Sequence, residues 1–220
     1  MRNKRRLSNK KKNRFFEIIS EHINKNKKDY TIAILIFFIG IAIGVMLVNK
    51  SSEENKREIT GYICNFIESI KSKEYTIDGK KLLIKSIISN LKLAVIIWVA
   101  GLTIIGIPII YVSIAYKGMC IGYAISAIIA TLGRSKGIIF SLSTMLVQNI
   151  IAVPCYLALM VSANKMYKSV TINRNKEILR EEISRHTIFS IFMTIGLIFS
   201  TFLEYYFTTL IFSDIIINFV

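Results

Sequence analysis

The stretch LAVIIWVAGLTIIGIPIIYVSIAYKGMCIGYAISAIIATL, Leu93 to Leu132, runs for 40 residues with a single charge, Lys117. A helix that crosses a bilayer needs about 20 mostly apolar residues. The stretch is too long for one span and long enough for two, so it reads as a hairpin of helices in lipid. Equal division puts the turn near Tyr111–Val112, with Lys117 close enough to it for its stem to snorkel to the headgroups. Gly101, Gly106 and Pro108 predict a kink in the first arm. In the second arm Gly118, Gly122, Ser126 and Ala130 recur at steps of four. Such a ridge of small residues lets a neighbouring backbone approach closely, so this arm is expected in the interior. The hairpin reads as the packing centre of the fold.

Working outward, three more segments have the length and composition of spans. The first is about 31–48, with Gly40 and Gly44 as a GxxxG pair. Its expected role is close packing inside the same chain. The fourth, about 138–163, carries Gln148, Asn149 and Pro154. The fifth, about 188–210, has Gly196, Ser200 and Glu204 on one face. Between the first two spans lies the longest polar region, 49–92, where Ile59, Tyr62, Ile63, Phe66, Ile67 and Ile70 form one apolar stripe at helical spacing. A break over 75–79, with Asp78 as a helix cap, separates it from a second amphipathic run through Leu82, Leu83, Ile87, Ile88 and Leu91. The fold class is therefore all-α: a polytopic membrane protein of about five transmembrane helices (31–48, 93–112, 113–132, 138–163, 188–210). An extracytoplasmic amphipathic helical cap, the external loop 49–92, lies between the first and second. Residues 31–220 form a single membrane domain behind a basic cytoplasmic N-terminal segment, 1–30.

The charge fits this layout. The 220 residues are 53% hydrophobic with mean hydropathy +0.50, yet carry 29 Lys+Arg against 14 Asp+Glu. In a globular chain that excess points to nucleic acid; here it sits in flanks and loops and sets topology, so no nucleic-acid partner is expected. Placing the N-terminus inside puts 18 bases in the cytoplasm and 11 outside, nine of them in the long 49–92 region where the bias counts least. The expected orientation is N-terminus cytoplasmic, C-terminus outside. Eleven of those bases lie in residues 1–30, where Phe15, Phe16, Ile18, Ile19, His22 and Ile23 follow helical spacing. That segment reads either as a surface helix on anionic membrane lipid or as a solvated tail. Nothing resembling a signal-peptidase site follows the first span, which is expected to remain as an anchor. Cys64, Cys120 and Cys155 show no framework or metal-ligand spacing.

Ionisable groups at membrane depth are the leading functional candidates. Glu204 is expected to face the bundle, as a proton or cation site or as a neutral or paired carboxyl near the outer interface. Gln148 and Asn149 are expected to bond neighbouring helices, and Pro154 to free the carbonyl of Ile150. Gly118, Gly122, Ser126, Gln148, Asn149, Pro154 and Glu204 make up the candidate packing and polar core. Tyr62, Phe66 and Ile70 are the candidate partner-binding surface. No nucleophile–base order, phosphate loop, paired acids, cofactor site or metal-ligand cluster is readable, so no catalysis is expected.

Five blocks carry a resemblance: SIISNLKL at 86–93, GLTIIGIPI at 101–109, YKGMCIGYAISA at 116–127, the glycine turn at 133–137 and QNIIAVP at 148–154. Together they resemble the stage II sporulation protein M family, although that family often has a proline where this chain has Val147. The resemblance implies a membrane scaffold of the engulfment machinery, in the septal or engulfing membrane of the mother cell. It also implies two partners that remodel peptidoglycan, stage II sporulation proteins P and D, with the chain itself non-catalytic. A membrane transporter or permease subunit is the alternative raised by Glu204, Gln148, Asn149 and the broken second span. The sequence leaves the oligomeric state, a homo-oligomer included, open.

Overall fold

A computed structural model describes residues 23–71, 79–172 and 176–219; within these the side chains at 66, 67, 69–71, 79, 82, 144, 146, 147 and 207–219 fall outside the description. The stretch around Phe15–His22 and the cap assigned to Asp78 also lie outside the described residues. Six helices follow one another: α1 (Lys27–Asn49), α2 (Glu53–Lys71), α3 (Gly79–Leu102), α4 (Gly106–Leu132), α5 (Arg134–Ile172) and α6 (Lys176–Phe219), with no strand among the described residues. All but α2 contain a stretch long and apolar enough to cross a membrane: Lys27–Asn49, Leu83–Leu102, Gly106–Leu132, Gln148–Ile172 and Lys176–Tyr206. The protein is an all-α, five-span bundle.

Local chemistry accounts for the ends. Ser52 caps α2 by accepting a hydrogen bond from the Asn55 N–H at 3.3 Å, and Glu53 and Glu54 follow in the first turn, where the helix dipole favours acids. The α3–α4 turn is only three residues, Thr103–Ile105. Thr103 donates from its N–H and hydroxyl to the Ala100 carbonyl, and the Gly106 N–H donates back to Thr103. A Cβ at Gly106 would collide with the Ala100 carbonyl oxygen, which is why glycine stands there. Pro108 then occupies the first turn of α4, where the missing N–H leaves no bond unmade. Gly133, with φ 81°, supplies the left-handed residue that separates α4 from α5.

This turn corrects the division of the hairpin. The break falls at 103–105 and not at 111–112, so α4 is unbroken for 27 residues and Lys117 lies in its interior. The other spans shift likewise. The second begins at Leu83, α5 runs on to Ile172, and α6 passes from the charged stretch at Lys176 into lipid without a break.

Packing explains which faces are apolar. α1 lies on α4 as its main partner and touches α5; α3 and α5 pack against each other, and each packs against both α4 and α6. That core holds Phe37, Ile97, Ile110, Ile114, Tyr156, Leu159, Met160 and Leu197. The ridge on α4 has a specific counterpart. A Cβ on Gly118 would strike the carbonyl of Phe37 and one on Gly122 that of Ile41, while Cβ atoms on Gly40 and Gly44 would strike the carbonyls of Ala115 and Met119. The two glycine pairs interlock, and only hydrogen at these positions allows the two backbones to touch. The most enclosed span is nevertheless α5: half of its apolar window is buried, against 22–28% for the others. The centre of packing is α5, with α3, α4 and α6 against it.

Candidate functional site: a polar cluster at mid-bundle

Depth can be read from α1. Asp29, near its start, accepts hydrogen bonds from Asn164 at 2.9 Å and from Lys168 at 2.9 Å. This polar contact marks one face of the membrane. Gly118 packs against Phe37, eight residues further along α1, which at 1.5 Å per residue is roughly 12 Å deeper. Lys117 is therefore near the middle of the bilayer, and snorkelling to a headgroup from a turn is excluded. It is half-buried, with Nζ 5.0 Å from the centroid of the Tyr156 ring, within the range of a cation–π contact.

Around this lysine three other helices supply polar groups. Tyr156 on α5 donates its hydroxyl to Asn90 Oδ1 on α3 at 2.8 Å. Asn90 Nδ2 donates to Thr201 Oγ1 on α6 at 3.0 Å, and Thr201 donates to the Leu197 carbonyl at 2.9 Å. All three residues are at most 3% exposed, so the chain of bonds is sealed from lipid. About one turn further along α6, Glu204 is hydrogen-bonded by Ser86 of α3 and lies within electrostatic reach of Lys117. Its Oε2 is buried with no hydrogen-bond partner among the described residues. Two opposite charges at mid-depth cost far less together than either would alone. The cluster can hold a charge, exchange a proton, or orient a small polar ligand.

A second polar layer lies between this cluster and Asp29. Ser162 Oγ is 2.8 Å from His186 Nδ1, and His186 Nε2 is 3.4 Å from the Trp98 carbonyl. A neutral imidazole protonated at Nε2 satisfies both. Trp98 Nε1 donates to Thr187 Oγ1 at 3.3 Å. Ser162 and His186 are 9% and 4% exposed and no carboxylate bonds the ring among the described residues, so the pair reads as helix packing and not as a nucleophile and its base. No group of three His, Cys, Asp or Glu able to hold a metal occurs among the described residues.

The other sequence candidates lie apart from the cluster. Asn149 donates to the Met145 carbonyl of its own helix at 2.8 Å. It lines, with Ile125, Ile150, Val153 and Pro154, an apolar groove of about 460 Å³ between α4 and α5. Gln148 is half-buried beside it, and Ser126 is buried on α4. On α2, Tyr62 is 78% exposed and, with Ile59 and Ile63, forms one wall of a groove of about 480 Å³ against Tyr123, Ala127 and Ile128 of α4. The side chains of Phe66 and Ile70 lie outside the described residues.

Residues 33–209 match the model of the family described as Stage II sporulation protein M. The chain belongs to that family. The match takes in α2, the whole central cluster and nearly all of the five spans, so family membership and the membrane bundle describe one and the same unit. This member of the stage II sporulation protein M family is thus a multi-pass membrane protein of a sporulation family. No curated protein matches it significantly, and no solved structure does.

Sequence reading had singled out Glu204 and Lys117 but missed Ser86, Asn90, Tyr156 and Thr201. A signal was present for one of them. His186, Ser190, Thr194 and Thr201 step along one face of α6 toward Glu204, a longer polar stripe than Gly196, Ser200 and Glu204 alone. Asn90 and Tyr156 are single residues on other helices, and nothing local marks them.

Proposed function

We propose that this protein is a non-catalytic membrane scaffold of the engulfment machinery in a sporulating cell. It anchors and localises the peptidoglycan-degrading stage II sporulation proteins P and D at the septal membrane. The observation that carries the reading is the family match over residues 33–209. The exposed Tyr62 and the apolar groove beside it on α2 support it. In an orientation with the N-terminus in the cytoplasm, that helix lies on the side where peptidoglycan is. Replacing Tyr62, Phe66 and Ile70 together with Asp is expected to abolish co-purification of the hydrolases after mild crosslinking, with insertion of the protein unchanged. Undiminished capture by that variant overturns the assignment of this surface.

A second reading, transport, is favoured by one observation: Lys117, Glu204, Asn90, Tyr156 and Thr201 converge at mid-depth, where ionisable groups are costly unless used. Glu204→Gln separates the two. A scaffold completes engulfment with it, whereas a transporter does not.

A further inference from the structure

α6 has two faces of opposite character. Ile188, Ile191, Phe192, Ile195, Phe199 and Phe202 are 51–66% exposed and face lipid. Behind them run His186, Ser190, Thr194, Ser200, Thr201 and Glu204. Four of these, His186, Ser190, Ser200 and Thr201, are buried, at 5% exposure or less. Packing alone does not ask for polar groups at each of these steps, because apolar side chains fill an interior without desolvation cost. The hydroxyls of Thr194, Ser200 and Thr201 each donate to a carbonyl of their own helix; the Thr201 oxygen also accepts from Asn90, while those of Thr194 and Ser200 keep acceptor capacity. Two buried side-chain atoms among the described residues have no partner at all, Ser190 Oγ and Glu204 Oε2. Both lie on this stripe, one near its start and one at its end. Buried polar atoms left over in this way are where ordered water is found, given two or more polar neighbours. One turn further along, the Thr194 hydroxyl is such a neighbour of Ser190; one turn back stands His186, whose ring nitrogens are bonded to Ser162 and the Trp98 carbonyl.

We propose that Glu204 is a proton-binding site, supplied through water ordered along this stripe from the face where α1 begins, past His186 and Ser190. Both protonation states have a partner in place. As carboxylate, Glu204 is held by the Ser86 hydroxyl and balanced by the Lys117 ammonium. When a proton from that face adds to Oε2, the carboxyl becomes neutral and the cluster gains one positive charge. Lys117 then keeps its contact with the Tyr156 ring, 5.0 Å away. Lys117 of α4 is within electrostatic reach of Glu204, and Ser86 of α3 supplies its hydroxyl partner; no other charged side chain acts on it among the described residues. His186 is faced by Ser162 and the Trp98 carbonyl. The inference rests on neither reading of function above, since a scaffold and a transporter can both carry such a site.

The test uses the full chain in liposomes with the pH set separately on the two faces. Dicyclohexylcarbodiimide modifies protonated carboxyls in apolar surroundings, and mass spectrometry reads the adduct at Glu204. Labelling is expected to rise about tenfold for each pH unit removed from the α1-start face, while the carboxyl is mostly ionised, and to ignore the other face. Ser190→Leu, which fills the route, is expected to abolish that dependence. Ser190→Ala, which preserves packing, slows it. Lys117→Met, which removes the counter-charge, is expected to let labelling persist at a lower proton concentration. Labelling that follows the opposite face, is absent at every pH in folded protein, or is indifferent to both Ser190 variants overturns the proposal. Normal hydrolase recruitment bears on the scaffold reading and leaves this result untouched.

Discussion

The Tyr156 hydroxyl is a single polar group, yet it connects three helices. It donates to Asn90 Oδ1, and Asn90 passes the contact to Thr201. Tyr156→Phe preserves the ring, its packing and the platform under Lys117, so almost nothing is lost except one donor. The buried acceptor left behind costs about 1–3 kcal/mol. Thermal unfolding in detergent should register this as a drop of about 2–4 °C per kcal/mol, the scale for a chain of this size. A Tyr156→Phe/Asn90→Leu double variant should lose less than the sum of the singles, because the acceptor is gone as well. Additive losses would mean that the bond contributes nothing to holding the helices together. Lys117 shows where residue-scale reading failed. Its charge was visible in the sequence, but its depth depended on a turn elsewhere, and the turn residues 103–105 are themselves apolar enough to pass for membrane interior. Gly101 and Gly106, flanking that turn, were the better guide than equal division.

At the scale of elements, glycines separate by what surrounds them. Gly122 faces the Ile41 carbonyl of α1 with room only for hydrogen, whereas Gly61 on α2 has nothing within 4 Å of the place where a Cβ would go. Gly122→Leu is expected to pry α1 from α4, with a cost at the upper end of overpacking, about 3 kcal/mol. It should appear as faster proteolysis of the α1–α2 segment in membranes. Gly61→Ala should do the reverse, stabilising α2 by about 0.5–1 kcal/mol through helix propensity alone. Equal sensitivity of the two variants would contradict the packing described. Both glycine ridges, on α1 and on α4, were legible as four-residue steps. Their pairing was not, because a ridge says that something approaches closely and leaves open which helix does. The polar stripe on α6 was legible in the same limited sense.

For the whole molecule, hydropathy identified five spans because a bilayer imposes a length that composition must meet. The order of packing lay beyond it. α5, which carries Pro154 in its interior and is only moderately apolar, proved the most enclosed span, while the more apolar α1 lies at the edge with Leu35, Phe38 and Ile39 facing out. In lipid, apolarity no longer distinguishes inside from outside, so the rule that works in water fails. Charge bias in the sequence predicts a topology. A reporter active only outside the cytoplasm should be active when inserted after Ser51 and silent after Asn175. The opposite pattern would place α2 on the cytoplasmic side and remove the surface proposed for the hydrolases.

The interlock of α1 with α4 also sets a schedule for biosynthesis. Gly122 follows Gly44 by 78 residues. At about 5–20 residues per second, α1 enters the membrane about 4–16 s before the helix that covers its bared backbone exists. Lys168, which answers Asp29, is 139 residues away in the chain and comes later still, about 7–28 s after it. Throughout that interval α1 is a lone helix with an open notch, available to an insertase or to the α4 of a neighbouring nascent chain. A chain that stops before residue 118 never closes the notch, and should be recognised as an orphan and degraded.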